Sequence, residues 1–321
     1  MNSRFKIAAM VMVVGVLCVA GVAPATDFVW DGDGLLPHEG APALWTEPLH
    51  WVQASSYPLN TNDNATVTDP YPSSTCTYNP SPGVWINQLT VGGVSPTKMT
   101  LHVRDDTLIA NEMYLQDYAE LDVDQNVSVF DHTELSGDVW VDVAAGKTFN
   151  ALAQGHPHAA VHVKSAYTRL HLTGVFVAAG IVIDGDADNE PRSLKLDGGT
   201  LTITGYSDIA VISDPDVDNK RAKFWLASGT ITWNAASYVE MVGGDRLARR
   251  AELDLDQDLE LYQSAVYLPG YTMIDGYASI DIAAGKKFTM PRLTIGELGN
   301  PSVVKLRVAT GAVMNVCTGD E

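Results

Sequence analysis

Along most of the chain, apolar and polar residues alternate in short triads. Examples are Leu101-His102-Val103, Val139-Trp140-Val141, Val161-His162-Val163, Leu170-His171-Leu172, Leu194-Lys195-Leu196, Leu201-Thr202-Ile203, Leu259-Glu260-Leu261, Ile280-Asp281-Ile282 and Val304-Lys305-Leu306. A period of two marks strands whose successive side chains face opposite sides. Glycine, aspartate and asparagine, residues that favour turns, separate the triads. No long stretch carries a helical period, so the pattern predicts an all-β chain from about Leu89 onward. Two architectures compete. A β-sandwich is built from longer strands at spacings of about 8–12 residues. Very short strands with tight turns favour a right-handed parallel β-helix, in which inward apolar side chains stack coil upon coil. The β-helix is the expectation and the β-sandwich its alternative. In the β-helix the middle residue of each triad faces solvent, which explains why His, Asp, Lys, Thr and Glu occur there.

Internal echoes point the same way. "LDVDQNVSVF" at 121–130 returns as "LDLDQDLELY" at 253–262, and "LTVGG" at 89–93 as "LTIGE" at 293–297. "VDVAAGKTF" at 141–149 returns as "IDIAAGKKF" at 280–288. The Gly-Lys-Thr in the first copy suggests a phosphate-binding loop, but that loop needs a glycine where Val141 stands. The second copy replaces Thr148 with Lys287, removing the magnesium-binding hydroxyl. A segment that repeats with its apolar positions kept and its supposed catalytic position changed is a structural unit.

The first 25 residues open on a basic stretch, continue as an apolar run and end in Ala23-Pro24-Ala25, the pattern of a cleaved export signal. Leu17 before Cys18 is unsuited to lipidation. Cleavage removes Arg4 and Lys6 and no acid, taking the formal net charge from −19 to −21. So acidic a chain repels nucleic-acid phosphates and anionic membranes, and suits calcium or plain solubility outside the cell. No second apolar span follows, so the mature chain is expected to be secreted or surface-held without a stable transmembrane segment. Cys76 and Cys317 are the remaining cysteines, and the sequence leaves their pairing open. Residues 26–88, rich in Pro, Asn, Asp, Thr and Trp, read as a loop-rich N-terminal cap, with the repeat domain at 89–321.

Within the cap, "FVWDGDG" (28–34), Trp45, "HW" (50–51) and "NDNATVTD" (62–69) follow one another in an order that resembles secreted bacterial proteins of planctomycete type. Those proteins carry autotransporter-associated or PEP-CTERM-associated β-strand repeats. His50 departs from the asparagine usual before the tryptophan. The resemblance implies an exported surface protein with a β-helical array, and no particular chemistry.

Candidate chemistry is sparse. Asp184, Asp186, Asp188 and Glu190, with Asp214, Asp216 and Asp218, could converge oxygen ligands on calcium. Neither loop has the EF-hand glycine and glutamate, and solvated turns have the same composition. His156, His158, His162 and His171 cluster in sequence, as zinc ligands do, yet outward positions accept any polar residue. Trp140, Trp225 and Tyr267 occupy middle positions and could form a platform for sugar rings, as in recognition of an extracellular polysaccharide or cell-surface component. Packing beneath loops is the competing explanation, and it is the one expected for Trp30, Trp45 and Trp51. Paired acids such as Asp122 with Asp124, or Asp254 with Asp256, could serve a polysaccharide lyase or glycoside hydrolase. Both pairs sit in echoed copies, as a repeat consensus would place them. The sequence therefore favours a non-catalytic structural or adhesive module over an enzyme.

Overall fold

The structure, a computed structural model, describes residues 26–30, 43–46, 48, 51–52, 56–68, 74–93, 98–152, 161–164, 167–184, 192–204, 209–213, 221–233, 238–245, 249–261, 271–296 and 302–316. Among these the chain is all β, and the strands stack as a right-handed parallel β-helix. Every strand-to-strand pairing is parallel, and the antiparallel contact is an isolated bridge between Trp30 and Trp51. That pattern excludes the sandwich, whose sheets are antiparallel.

Three sides enclose the core. One is an 11-stranded sheet running from Ala43–Leu44 to Val303–Val308. The second is the main path of a 15-stranded sheet, from Asp27–Trp30 to Arg292–Ile295. This sheet forks at the strand Val127–Ser136: residues 127–129 pair with the strand Thr148–Ala151, and 133–135 with Val161–Val163. The branch continues through Val175–Ala178, Thr200–Ile203 and Thr230–Trp233 as the third side. A 3-stranded sheet then serves that side: Leu259–Glu260, Lys287–Met290 and Val313–Val316. The loop-rich segment 26–88 carries rungs of its own, and the strand Trp85–Gly92 straddles position 88.

The outer residues of each triad point inward, as the alternation predicts. Val103, Val123, Val143 and Leu172 are successive register partners, all buried. Removing each such side chain from water is worth roughly 1.5–3 kcal/mol. Phe149 and Phe176 stack face to face on adjacent rungs, with ring centroids 4.7 Å apart and planes 5° from parallel. At the N-terminal end Trp30, Trp45, Trp51 and Tyr78 close the stack edge to face, with centroids 4.8–5.4 Å apart. These tryptophans are buried, as expected of a cap core. Cys76 is a free thiol buried beside them, and burial pushes its pKa well up. Cys317 lies outside the described residues.

The echoed turns at 141–149 and 280–288 are held in the same way. Lys147 Nζ donates to Gln125 Oε1 at 2.9 Å, and Lys286 Nζ to Gln257 Oε1 at 3.1 Å. The amide of Thr148 donates to Asn126 Oδ1 at 3.0 Å, and that of Lys287 to Asp258 Oδ1 at 2.8 Å. Between them the Ala-Ala-Gly-Lys turn needs a left-handed residue, with φ of +72° at both Gly146 and Gly285. The lysine that resembled a phosphate ligand is thus a tie between rungs.

Two glycines test this geometry. Gly285→Ala adds a Cβ that meets nothing within 4 Å, so its cost is the left-handed backbone alone, about 1–2 kcal/mol. At Gly229 the φ is +91° and a Cβ would run into the carbonyl oxygen of Gly198 on the rung below. Gly229→Ala is expected to lower the melting temperature several times more than Gly285→Ala, measured by circular dichroism.

Candidate functional site

Register brings the outward residues of the 11-stranded sheet into two columns. The first contains Thr100, Glu120, Trp140, Arg169, Lys195, Trp225, Asp254, Asp281 and Arg307. The second contains His102, Asp122, Asp142, His171 and Asp197. These columns join residues far apart in sequence, and almost every contact on this face runs between rungs.

Two of the three aromatic residues expected to form a platform fall among the described residues. Trp140 and Trp225 do point outward, but both are half-buried. Lys98 Nζ lies 4.1 Å from the centre of the Trp140 ring and also pairs with Glu120 at 3.2 Å. Lys195 and Lys223 lie 4.6 and 5.0 Å from the Trp225 ring centre, and its Nε1 donates to Asp256 Oδ2 at 2.8 Å. Cations over indole faces are favourable by about 0.5–1 kcal/mol at exposed sites. Tyr267 lies outside the described residues.

In the second column His102 and His171 flank the adjacent carboxylates Asp122 and Asp142. His102 Nε2 contacts Asp124 Oδ2 at 2.9 Å and Asp122 Oδ2 at 3.5 Å. His171 Nδ1 contacts Asp142 Oδ1 at 2.6 Å. Burial pushes the Asp122 carboxyl up; His102 opposes this, while Asp124, Asp142 and Glu120 add to it. The ligand atoms of His102, Asp122 and Asp124 all lie within 4.8 Å of one another. Three donors fall short of the six to eight oxygens that calcium takes, and the imidazole already engages both carboxylates. Asp254 differs from its echo Asp122: its carboxylate is held by Lys223 Nζ at 2.6 Å.

At Asp197, Ser228 Oγ donates at 2.9 Å, Lys195 Nζ at 3.2 Å and Arg169 Nη2 at 2.6 Å. The Ser228 hydrogen bond, then those from Lys195 and Arg169, hold this carboxyl down at about 2 against a partial desolvation effect.

On the outer face of the 15-stranded sheet, Tyr114, Glu134 and His162 share a column. His132 and His162 rings are 5.1 Å apart, and Tyr114 and His132 5.7 Å. Burial lowers the His162 pKa, with His132 and Lys164 adding to the effect, so this imidazole favours its neutral form. Tyr114, whose hydroxyl donates to Glu112 at 3.1 Å, is pushed up to about 12, first by burial. His162 and His171 lie on different sheets, so the sequence cluster of histidines is not one site. His156 and His158 lie outside the described residues.

At the corner of the solenoid, amides form a further ladder. Asn111 donates to Asn87, Asn87 to Asn64 and Asn64 to Asp27, at 3.1, 3.0 and 2.8 Å. Trp85 Nε1 donates to Asn111 at 2.9 Å, and its exposed ring lies 5.2 Å from Phe130. Of the proposed calcium ligands, Asp184 ends the strand Ile181–Asp184, while Asp186, Asp188, Glu190, Asp214, Asp216 and Asp218 lie outside the described residues.

Comparison with protein-family models, curated proteins and solved structures finds no match. Fold and face define the class: a parallel β-helix whose outward side chains are tied into inter-rung ladders.

The ladder at Asp197 sets an acid limit. A depressed pKa supplies stability above the unfolded value near 3.9, lost as pH falls through about 2. Asp197→Asn is therefore expected to lower the melting temperature at pH 5 and to differ little from the parent near pH 2, as thermal melts across that range will show.

Proposed function

We propose that the chain is an exported, non-catalytic structural or adhesive module, a stiff rod that presents an ordered outer face to an extracellular polysaccharide or cell-surface component. The observation that carries this reading is the inter-rung ladder: the acids and bases of the outer face are tied to neighbours on adjacent rungs. Such a face is held rigid by mutual contacts, and suits repeated shallow recognition. The export signal, the strongly acidic mature chain and the resemblance to repeat-bearing secreted proteins support a location outside the cell. Trp140 and Trp225 stand three register steps apart. At a rung spacing of about 4.8 Å that is roughly 14 Å, a span that favours an extended polymer over a single sugar.

An enzymatic reading rests on one observation, the trio His102, Asp122 and Asp124 with the Asp122 pKa raised by burial. A polysaccharide-active enzyme would place its acid there.

Two measurements separate these readings. Binding to a panel of insoluble polysaccharides, followed by depletion from solution, should show retention that weakens about tenfold in Trp140→Ala/Trp225→Ala with the fold preserved. Asp122→Asn/Asp124→Asn should leave that retention unchanged. Release of reducing ends or of unsaturated sugars by the parent, abolished in the double Asn variant, would replace the display reading with the catalytic one. Export is tested separately by N-terminal sequencing of secreted protein, which should begin at Thr26.

A further inference from the structure

The two ends of the solenoid differ in kind. At the first rung, Val52 N donates to Val29 O at 2.8 Å and Trp51 bridges Trp30 in the antiparallel sense, which covers that edge. The last rung has no such cover among the described residues. Ile295, Leu306, Val308 and Val316 are 50%, 46%, 43% and 44% exposed, although each extends a buried column. Leu306 follows Leu253 and Ile280, and Val308 follows Leu255 and Ile282. The strands Arg292–Ile295, Val303–Val308 and Val313–Val316 each end their sheet among the described residues, so no described strand pairs with their outer backbone groups.

Among the described residues at this end the charge is reversed, with Glu297, Asp320 and Glu321 lying outside them. In a chain of formal net charge −19, residues 283–296 and 302–316 contain Lys286, Lys287, Arg292, Lys305 and Arg307 and no acid. Lysines on an open edge deter pairing with a like-charged strand and leave pairing with an acidic one favourable.

We propose that this end is a docking surface for a β-strand of another polypeptide, apolar and acidic at alternate positions, which adds as a further rung. The molecule's own registers specify the fit. Ala251, Glu252, Leu253, Asp254 and Leu255 lie over Ala278, Ser279, Ile280, Asp281 and Ile282, and these over Val304, Lys305, Leu306, Arg307 and Val308. A strand of sequence Ala-Glu-Leu-Asp-Leu placed one step beyond repeats that register. Its glutamate meets Lys305, its aspartate meets Arg307, which also pairs with Asp281 at 3.3 Å, and its apolar residues cover Val304, Leu306 and Val308. Strand addition of this kind draws affinity from backbone hydrogen bonds and specificity from alternate side chains. A second copy fits less well. Two such ends facing each other oppose Lys305 and Arg307 to the same cations, and in a head-to-tail stack the strand Asp27–Trp30 already carries the contacts from Trp51 and Val52.

The test uses the full mature chain, residues 26–321, and a fluorescein-labelled synthetic peptide with the sequence of residues 251–261, AELDLDQDLEL, read by fluorescence anisotropy. Saturable binding is expected, weakened at least tenfold by Lys305→Glu/Arg307→Glu and by a peptide whose acids are replaced with lysine. Because both changes lie on exposed positions, an unchanged melting temperature confirms that the variant is folded; the altered peptide tests the same point with the parent protein. Absence of binding at millimolar peptide, or equal binding of the lysine peptide, overturns the proposal. A concentration-dependent dimer in sedimentation equilibrium, abolished by Leu306→Lys, would assign the face to a second copy and overturn it as well.

Discussion

Strands on successive rungs lie about 4.8 Å apart in parallel register, apart from one shift between Ala110 and Glu112, so a side chain touches the side chain at the same position one rung away. Inside, that contact rewards apolar residues of any shape that stacks, and the buried columns mix Val, Leu, Ile, Met and Phe freely. Outside, it places like beside like unless the sequence intervenes. Asp122 beside Asp142 illustrates the difficulty, and the Asp122 carboxyl is pushed up partly by that neighbour. His102 and His171 flank the pair and each engages a carboxylate. The outer face is thus shaped by the same register that builds the core.

This constraint also bears on function. Exposed ion pairs are individually worth about 0–1 kcal/mol, but a column of them fixes the position of every member. Arg169, Lys195, Ser228 and Asp197 form one such knot, drawn from three successive rungs. A face assembled this way is held in place by its own contacts.

Much of the fold was legible in the sequence because the period-two triads fix which residues face inward, and those triads are the buried columns. Buried Trp30, Trp45 and Trp51 were equally readable, since large aromatics among loop residues must pack on something. Register was not readable, because the rung length varies. Val103, Val123 and Val143 are partners at intervals of 20 residues, and the next step, to Leu172, takes 29. Without register, His102 could not be placed beside Asp122 and Asp124, nor Lys98 over Trp140. The histidines read as one sequence cluster, but His162 and His171 lie on different sheets. The corner asparagines Asn64, Asn87 and Asn111 gave a weak signal, since they recur about once per rung, but asparagine is also an ordinary turn residue.

The register itself is open to direct measurement. Thr202 and Thr232 are partners on neighbouring rungs, with hydroxyl oxygens 2.8 Å apart on the outer face. Thr202→Cys/Thr232→Cys should be joined rapidly by a short bifunctional thiol reagent, while Thr202→Cys/Thr230→Cys, offset by two residues, should react far more slowly. Equal rates for the two pairs, or faster reaction of the offset pair, would contradict the in-register solenoid and with it every column described above.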